Sequence, residues 1–65
     1  MKLSIKKLNL IMAEKTIPVK EVLEKAEISN ATFSRMKAGT QEPRPQTLGK
    51  IARALGVKVE DLLED

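Results

Sequence analysis

The sequence predicts an all-α domain, and three observations carry that prediction. Two segments repeat their apolar residues at helical spacing. Glycine and proline stand where helices would end and begin. Strand signals are weak, and Phe33 is the one aromatic residue among 65. In Val19–Ala26, with each residue advancing 100° round the axis, Val19, Val22, Leu23 and Ala26 fall within roughly 100° of arc. Lys20, Glu21, Glu24 and Lys25 take the rest. In Leu48–Leu55, Leu48, Ile51, Ala52 and Leu55 span a similar arc.

The elements follow in order. A first helix runs from about Ser4 to Lys15, with Ser4 as N-cap and Ile5, Leu8, Ile11 and Met12 as its apolar side. The second is the Val19–Ala26 segment. Glu27-Ile28-Ser29 is a three-residue turn, and Ser29 is the N-cap of a third helix that carries Phe33 and Met36 at i, i+3. Gly39 ends it in the left-handed conformation that glycine permits. Residues 39–44 form a loop. Pro45 then sits at the first position of a fourth helix, where its missing N–H is not needed, and Gly56 stops that helix. A last short helix holds Val59, Leu62 and Leu63. No repeat or linker divides the chain, so residues 1–65 read as a single domain.

Composition bounds the function. A chain of 65 residues buries only about 60% of the surface it exposes when unfolded, so its stability margin is small. It has no cysteine and no histidine. Disulfides and thiolate metal sites are therefore excluded, and the commonest general base and metal ligand are missing. Ser29, Ser34 and Lys37 are close in sequence, yet helix geometry points Ser34 and Lys37 to solvent, and the three glycines are too scattered to cradle a phosphate. No enzyme activity, cofactor, metal or small-molecule ligand is expected. No apolar run approaches the ~20 residues of a membrane span, and no secretory start is found, so a cytoplasmic protein is expected.

Charge is unevenly laid out. Residues 1–59 carry all 12 basic residues against five acids, a net +7, and the last six residues carry four acids. A basic body favours a polyanionic partner. The plain alternative is a Lys-rich solubilising surface. Lys6, Lys7 and Lys50 read most simply as solvated, and Leu62 and Leu63 as core.

These elements and their turn spacing resemble the Cro and lambda-repressor-like helix-turn-helix domains, the XRE family, over about residues 3–63. The segments that carry the resemblance are Pro18–Ile28, Ser29–Gly39, Pro43–Leu48 and Lys50–Val57, the last with an Ile-Ala-x-x-Leu-Gly-Val ending followed by Leu62. The resemblance implies a compact five-helix lambda-repressor-like domain with the helix-turn-helix formed by helices two and three, at about residues 18–37. The chain departs from the family pattern in four places. Leu23 replaces an alanine of helix two, Glu27 replaces a turn glycine, and Val19 replaces a phosphate-bonding glutamine. Met12 and Lys37 replace an Arg–Glu pair.

In that fold the third helix enters the major groove. With Phe33 and Met36 inward, Asn30, Ala31, Ser34 and Arg35 are presented to the base edges. Arg and Asn suit guanine and adenine respectively through paired hydrogen bonds. Phosphate contacts are expected from the backbone N–H groups of Val19 and Lys20, and from Lys20, Lys37, Thr40, Gln41 and Arg44. An ordinary solvated surface is the competing reading at each position. The resemblance implies a sequence-specific regulator of transcription, a repressor in the family's usual mode, bound as a homodimer to double-stranded operator DNA. The alternative is a helix-turn-helix protein-interaction module, antitoxin-like or an adaptor, with little specific DNA binding.

Overall fold

The structure, a computed structural model, describes residues 2–64. Its four α-helices are α1 (Ile5–Lys15), α2 (Val19–Ala26), α3 (Asn30–Ala38) and α4 (Pro45–Leu55), followed by a 3-10 turn at Val59–Leu62. The expected fifth helix is thus a single tight turn, and Leu63 lies beyond it in extended conformation. The reason lies in what Leu63 does instead. Its backbone pairs antiparallel with Leu3, flanked by hydrogen bonds from Ser4 N–H to the Leu62 carbonyl (2.7 Å) and from Glu64 N–H to the Lys2 carbonyl (2.9 Å). Its carbonyl also accepts from the Lys7 ammonium at 2.8 Å, so Lys7 is not the plainly solvated residue expected. Asp61 closes the start of the 3-10 turn by accepting from Lys58 N–H at 3.1 Å.

All four α-helices end the same way. A residue in the left-handed region donates to the carbonyl three positions back, and its successor donates to the carbonyl five back. This pairing satisfies carbonyls that a helix end leaves without a partner. The left-handed residues are Thr16, Glu27, Gly39 and Gly56. At Gly39 and Gly56 the conformation is free of side-chain conflict. At Thr16 (φ 55°) and Glu27 (φ 57°) it costs roughly 1–2 kcal/mol. The successors at three ends, Ile17, Ile28 and Val57, pack against the core. That contact commonly accompanies the motif and offsets the cost.

The core is aliphatic save for Phe33. Leu8, Val22, Leu48, Ile51, Leu55 and Leu62 are fully buried, and Leu3, Met12, Leu23, Ala26, Phe33, Met36 and Ala52 nearly so. Helix α4 lies at its centre and packs on α2, α1 and the 3-10 turn. Among the described residues, every buried side-chain nitrogen and oxygen has a hydrogen-bond partner, and no helix is long and apolar enough to cross a membrane.

Candidate nucleic-acid interface

The turn between α2 and α3 is built by Glu27 and Ile28. Glu27 takes the left-handed conformation, and Ile28 N–H closes on the Leu23 carbonyl at 3.0 Å while its side chain packs inward. Ser29 then starts α3. Its hydroxyl oxygen accepts from Thr32 N–H (3.1 Å), and its hydroxyl donates to Thr32 Oγ1 (2.9 Å). The Glu27 carboxylate lies 3.5 Å from the Lys50 ammonium. Both side chains are exposed, so this pair fixes little, and Lys50 stands in solvent as its sequence context suggests. Leu23, bulkier than the alanine of the family pattern, is buried at this junction. With Lys20, Ile28 and Asn30 it lines a depression of about 410 Å³.

Helix α3 is held from below by Phe33 and Met36, both buried. Asn30, Ala31, Ser34 and Arg35 are exposed. On a helical wheel they occupy roughly 140° on the side away from that anchor. The four residues expected to face bases are therefore brought together on one surface. The set presents a planar guanidinium fork, a side-chain amide, a hydroxyl and a methyl group, which together offer donors, acceptors and an apolar contact.

The candidates for phosphate contact are more scattered. Lys37 is exposed at the edge of α3, and its ammonium lies over the Phe33 ring, 5.4 Å from the centroid. Thr40 donates through both its backbone N–H (3.0 Å) and its hydroxyl (3.2 Å) to the Arg35 carbonyl. Its hydroxyl thus helps to close the end of α3. Gln41 and Arg44 are exposed.

The helix starts divide into two kinds. Ser4 and Ser29 cap α1 and α3 with their hydroxyls, whereas Pro18 and Arg44 give α2 and α4 no side-chain cap. The first N–H groups of α2, on Val19 and Lys20, precede the first intrahelical bonds, which Glu21 and Val22 make to the Pro18 carbonyl. Val19 itself is 40% exposed and has only its backbone N–H to offer an anion. The same vacancy recurs at Gln46 and Thr47 in α4, since Pro45 has no N–H and Leu48 makes the first bond, to Arg44. The sequence reading passed over this second start. The signal was present in Arg44, a residue that does not cap, placed ahead of Pro45. Helix starts with unoccupied N–H groups favour anions through their dipole.

No group of histidine, cysteine or acidic residues among those described could hold a metal ion. Among curated proteins and among solved structures, no match to the chain is found. A family model does match, over residues 7–65, nearly the whole chain, and its segment includes α2, the Glu27 turn, α3 and α4. The geometry just described and that match agree: the chain belongs to the family of Cro/C1-type HTH DNA-binding domains.

Proposed function

We propose that this chain is a sequence-specific, double-stranded DNA-binding regulator of transcription that acts as a repressor in the cytoplasm. Helix α3 enters the major groove; Arg35 and Asn30 make paired hydrogen bonds to base edges, Ser34 bonds a base or bridging water, and Ala31 touches a thymine methyl or admits close approach. The N–H groups of Val19 and Lys20, with Lys20, Lys37, Gln41 and Arg44, fix the register on phosphates. Thr40 contributes by closing α3 behind Arg35. Two copies bind a two-fold symmetric operator with half-sites about one helical turn apart. The single observation that supports this most is the row Asn30, Ala31, Ser34 and Arg35, exposed together on a helix anchored by Phe33 and Met36.

Selection from random duplexes tests the reading. It expects an enriched, pseudo-palindromic sequence, and binding that weakens with salt at a log-log slope of about −0.9 per phosphate contacted. Occupation of that sequence within a promoter should lower transcription from a reporter. The rival reading, a protein-interaction module, draws on the apolar side chain of Val19 and the engaged hydroxyl of Thr40. It is favoured if no sequence is enriched and a stoichiometric protein partner is recovered.

A further inference from the structure

The two residues that pair at the chain ends are not alike. Leu3 and Leu63 stand opposite each other without bonding each other. Their neighbours carry the bonds, from Ser4 N–H to the Leu62 carbonyl and from Glu64 N–H to the Lys2 carbonyl. In such an antiparallel pair, the N–H and C=O of the facing residues point away from the partner strand. For Leu63 both are engaged. Its N–H donates to the Glu60 carbonyl at 3.4 Å, and its carbonyl accepts from the Lys7 ammonium. For Leu3 neither has a hydrogen-bond partner among the described residues. Leu3 is only 6% exposed, and backbone groups on so buried a residue are almost always paired. Its N–H and carbonyl form the open edge of a strand.

Leu3 also lines a depression of about 340 Å³, between the paired chain ends and the loop that follows α3. That volume is at the low end for ligand clefts, roughly 300–1,000 Å³. Leu3, Met36 and Pro43 give it an apolar wall, and Lys2, Glu42 and Glu64 its charges. The three charged residues are exposed, and none of them makes an ion pair among the described residues. Two free carboxylates thus outweigh one ammonium on a domain that is basic as a whole. A donor and an acceptor on one residue are met by a single residue of an antiparallel strand, which exchanges both bonds. A nucleic-acid backbone is met badly here, since phosphate offers the Leu3 carbonyl no donor and is repelled by the carboxylates.

We infer that this depression takes an extended peptide of a partner protein, added as a third strand beside Leu3. Backbone bonds to Leu3 hold it, as in other cases of strand addition. An aliphatic side chain meets Met36 and Pro43, and a neighbouring lysine or arginine meets Glu42 and Glu64. The charges select the partner more than they tighten it. The inference is separate from the proposed function and is testable without DNA. The same loop carries Thr40 and Gln41, so the peptide would touch the segment that closes α3.

Selection of a displayed library of random linear peptides on the full chain should enrich an aliphatic residue beside Lys or Arg. A synthetic peptide of the enriched sequence, at saturation, should slow hydrogen exchange of the Leu3 amide about tenfold or more. N-methylation of that peptide at the residue that bonds Leu3 should weaken binding about fivefold or more, and at the next residue, whose N–H points away, far less. These changes are made in the peptide, so the protein's folding is not at issue. Glu42→Gln combined with Glu64→Gln should weaken binding about two- to tenfold, since two exposed ion pairs are lost while the Glu64 backbone bond is kept. A scrambled peptide of the same composition should bind clearly more weakly. The inference is overturned if no sequence is enriched, if Leu3 exchange does not change, if the scrambled peptide binds equally, or if the two glutamine substitutions have no effect. Protection of Leu3 that rises with protein concentration in the absence of peptide also overturns it, because the occupant is then a second copy. Peptide binding with the expected marks upholds it, whether or not duplex selection enriches a DNA sequence.

Discussion

Helices α3 and α4 are of similar length and opposite character. Helix α4 buries Leu48, Ile51, Ala52 and Leu55 and touches α1, α2 and the 3-10 turn. Helix α3 buries Phe33 and Met36 and leaves most of its surface to solvent. The first is shaped by packing, and its sequence is a regular apolar stripe. The second has a narrow anchor, just enough to fix its direction, and its other positions are free of packing demands. A helix so mounted can change its outward residues with little effect on folding, which is what a reading surface needs.

The largest effect expected from breaking this contrast is in α4. Leu48→Ala and Ile51→Ala remove fully buried side chains and should each destabilise by about 2–5 kcal/mol. That is comparable to the whole stability of a domain this small, roughly 3–10 kcal/mol. Circular dichroism with urea should show partial or complete unfolding at 25 °C. Next comes Arg35→Ala on α3. Its urea midpoint should correspond to a change within about ±0.5 kcal/mol. Its affinity for the selected operator should nevertheless fall by about 1–3 kcal/mol, with discrimination relaxed at one base pair. Equal binding by Arg35→Ala and the parent chain would remove Arg35 from the readout.

Smaller effects separate the helix starts. Ser29→Ala deletes a cap and should cost about 1 kcal/mol, measured by urea denaturation. Arg44→Ala deletes no cap and should leave stability nearly unchanged, while weakening DNA binding by a similar factor for every sequence. The smallest effects concern the helix ends. Thr16→Gly should stabilise by a few tenths of a kcal/mol to about 1 kcal/mol, and Glu27→Gly by less. Relief of the left-handed conformation outweighs the added freedom of glycine in the unfolded chain. The β-branched threonine gains more because it fits that conformation worst. A lower thermal midpoint for Thr16→Gly would contradict this account of α1's end.

Much of this was legible in the residues. The helix spans, the caps Ser4 and Ser29, the stops at Gly39 and Gly56 and the buried pair Phe33 and Met36 all follow from short-range chemistry, and the structure has them where the pattern predicts. The rest depends on contacts between residues far apart in sequence. Leu63 read as the end of a helix because Val59, Leu62 and Leu63 are apolar at near-helical spacing; its pairing with Leu3 has no local signal. Lys7 read as solvated for the same reason, since the Leu63 carbonyl is its partner. The left-handed Thr16 carries no glycine to announce it. At the candidate site, the clustering of Asn30, Ala31, Ser34 and Arg35 was visible from helical periodicity once Phe33 was taken as inward. The Thr40 hydroxyl on the Arg35 carbonyl was not, because a threonine in a polar loop looks like any other.

The backbone pairing of Leu3 with Leu63 brings the two ends of the described chain side by side, with the Lys2 carbonyl bonded to Glu64 N–H. Topologically the domain is almost a ring. A short linker joining residues 2 and 64 would span a gap that the fold has already closed, adding no new contact to the folded state. It would restrict the unfolded chain instead, with an entropic gain of roughly 4 kcal/mol for a loop of this length. For a domain whose core is this small, closing the ring is a larger lever on stability than any single side chain outside the core.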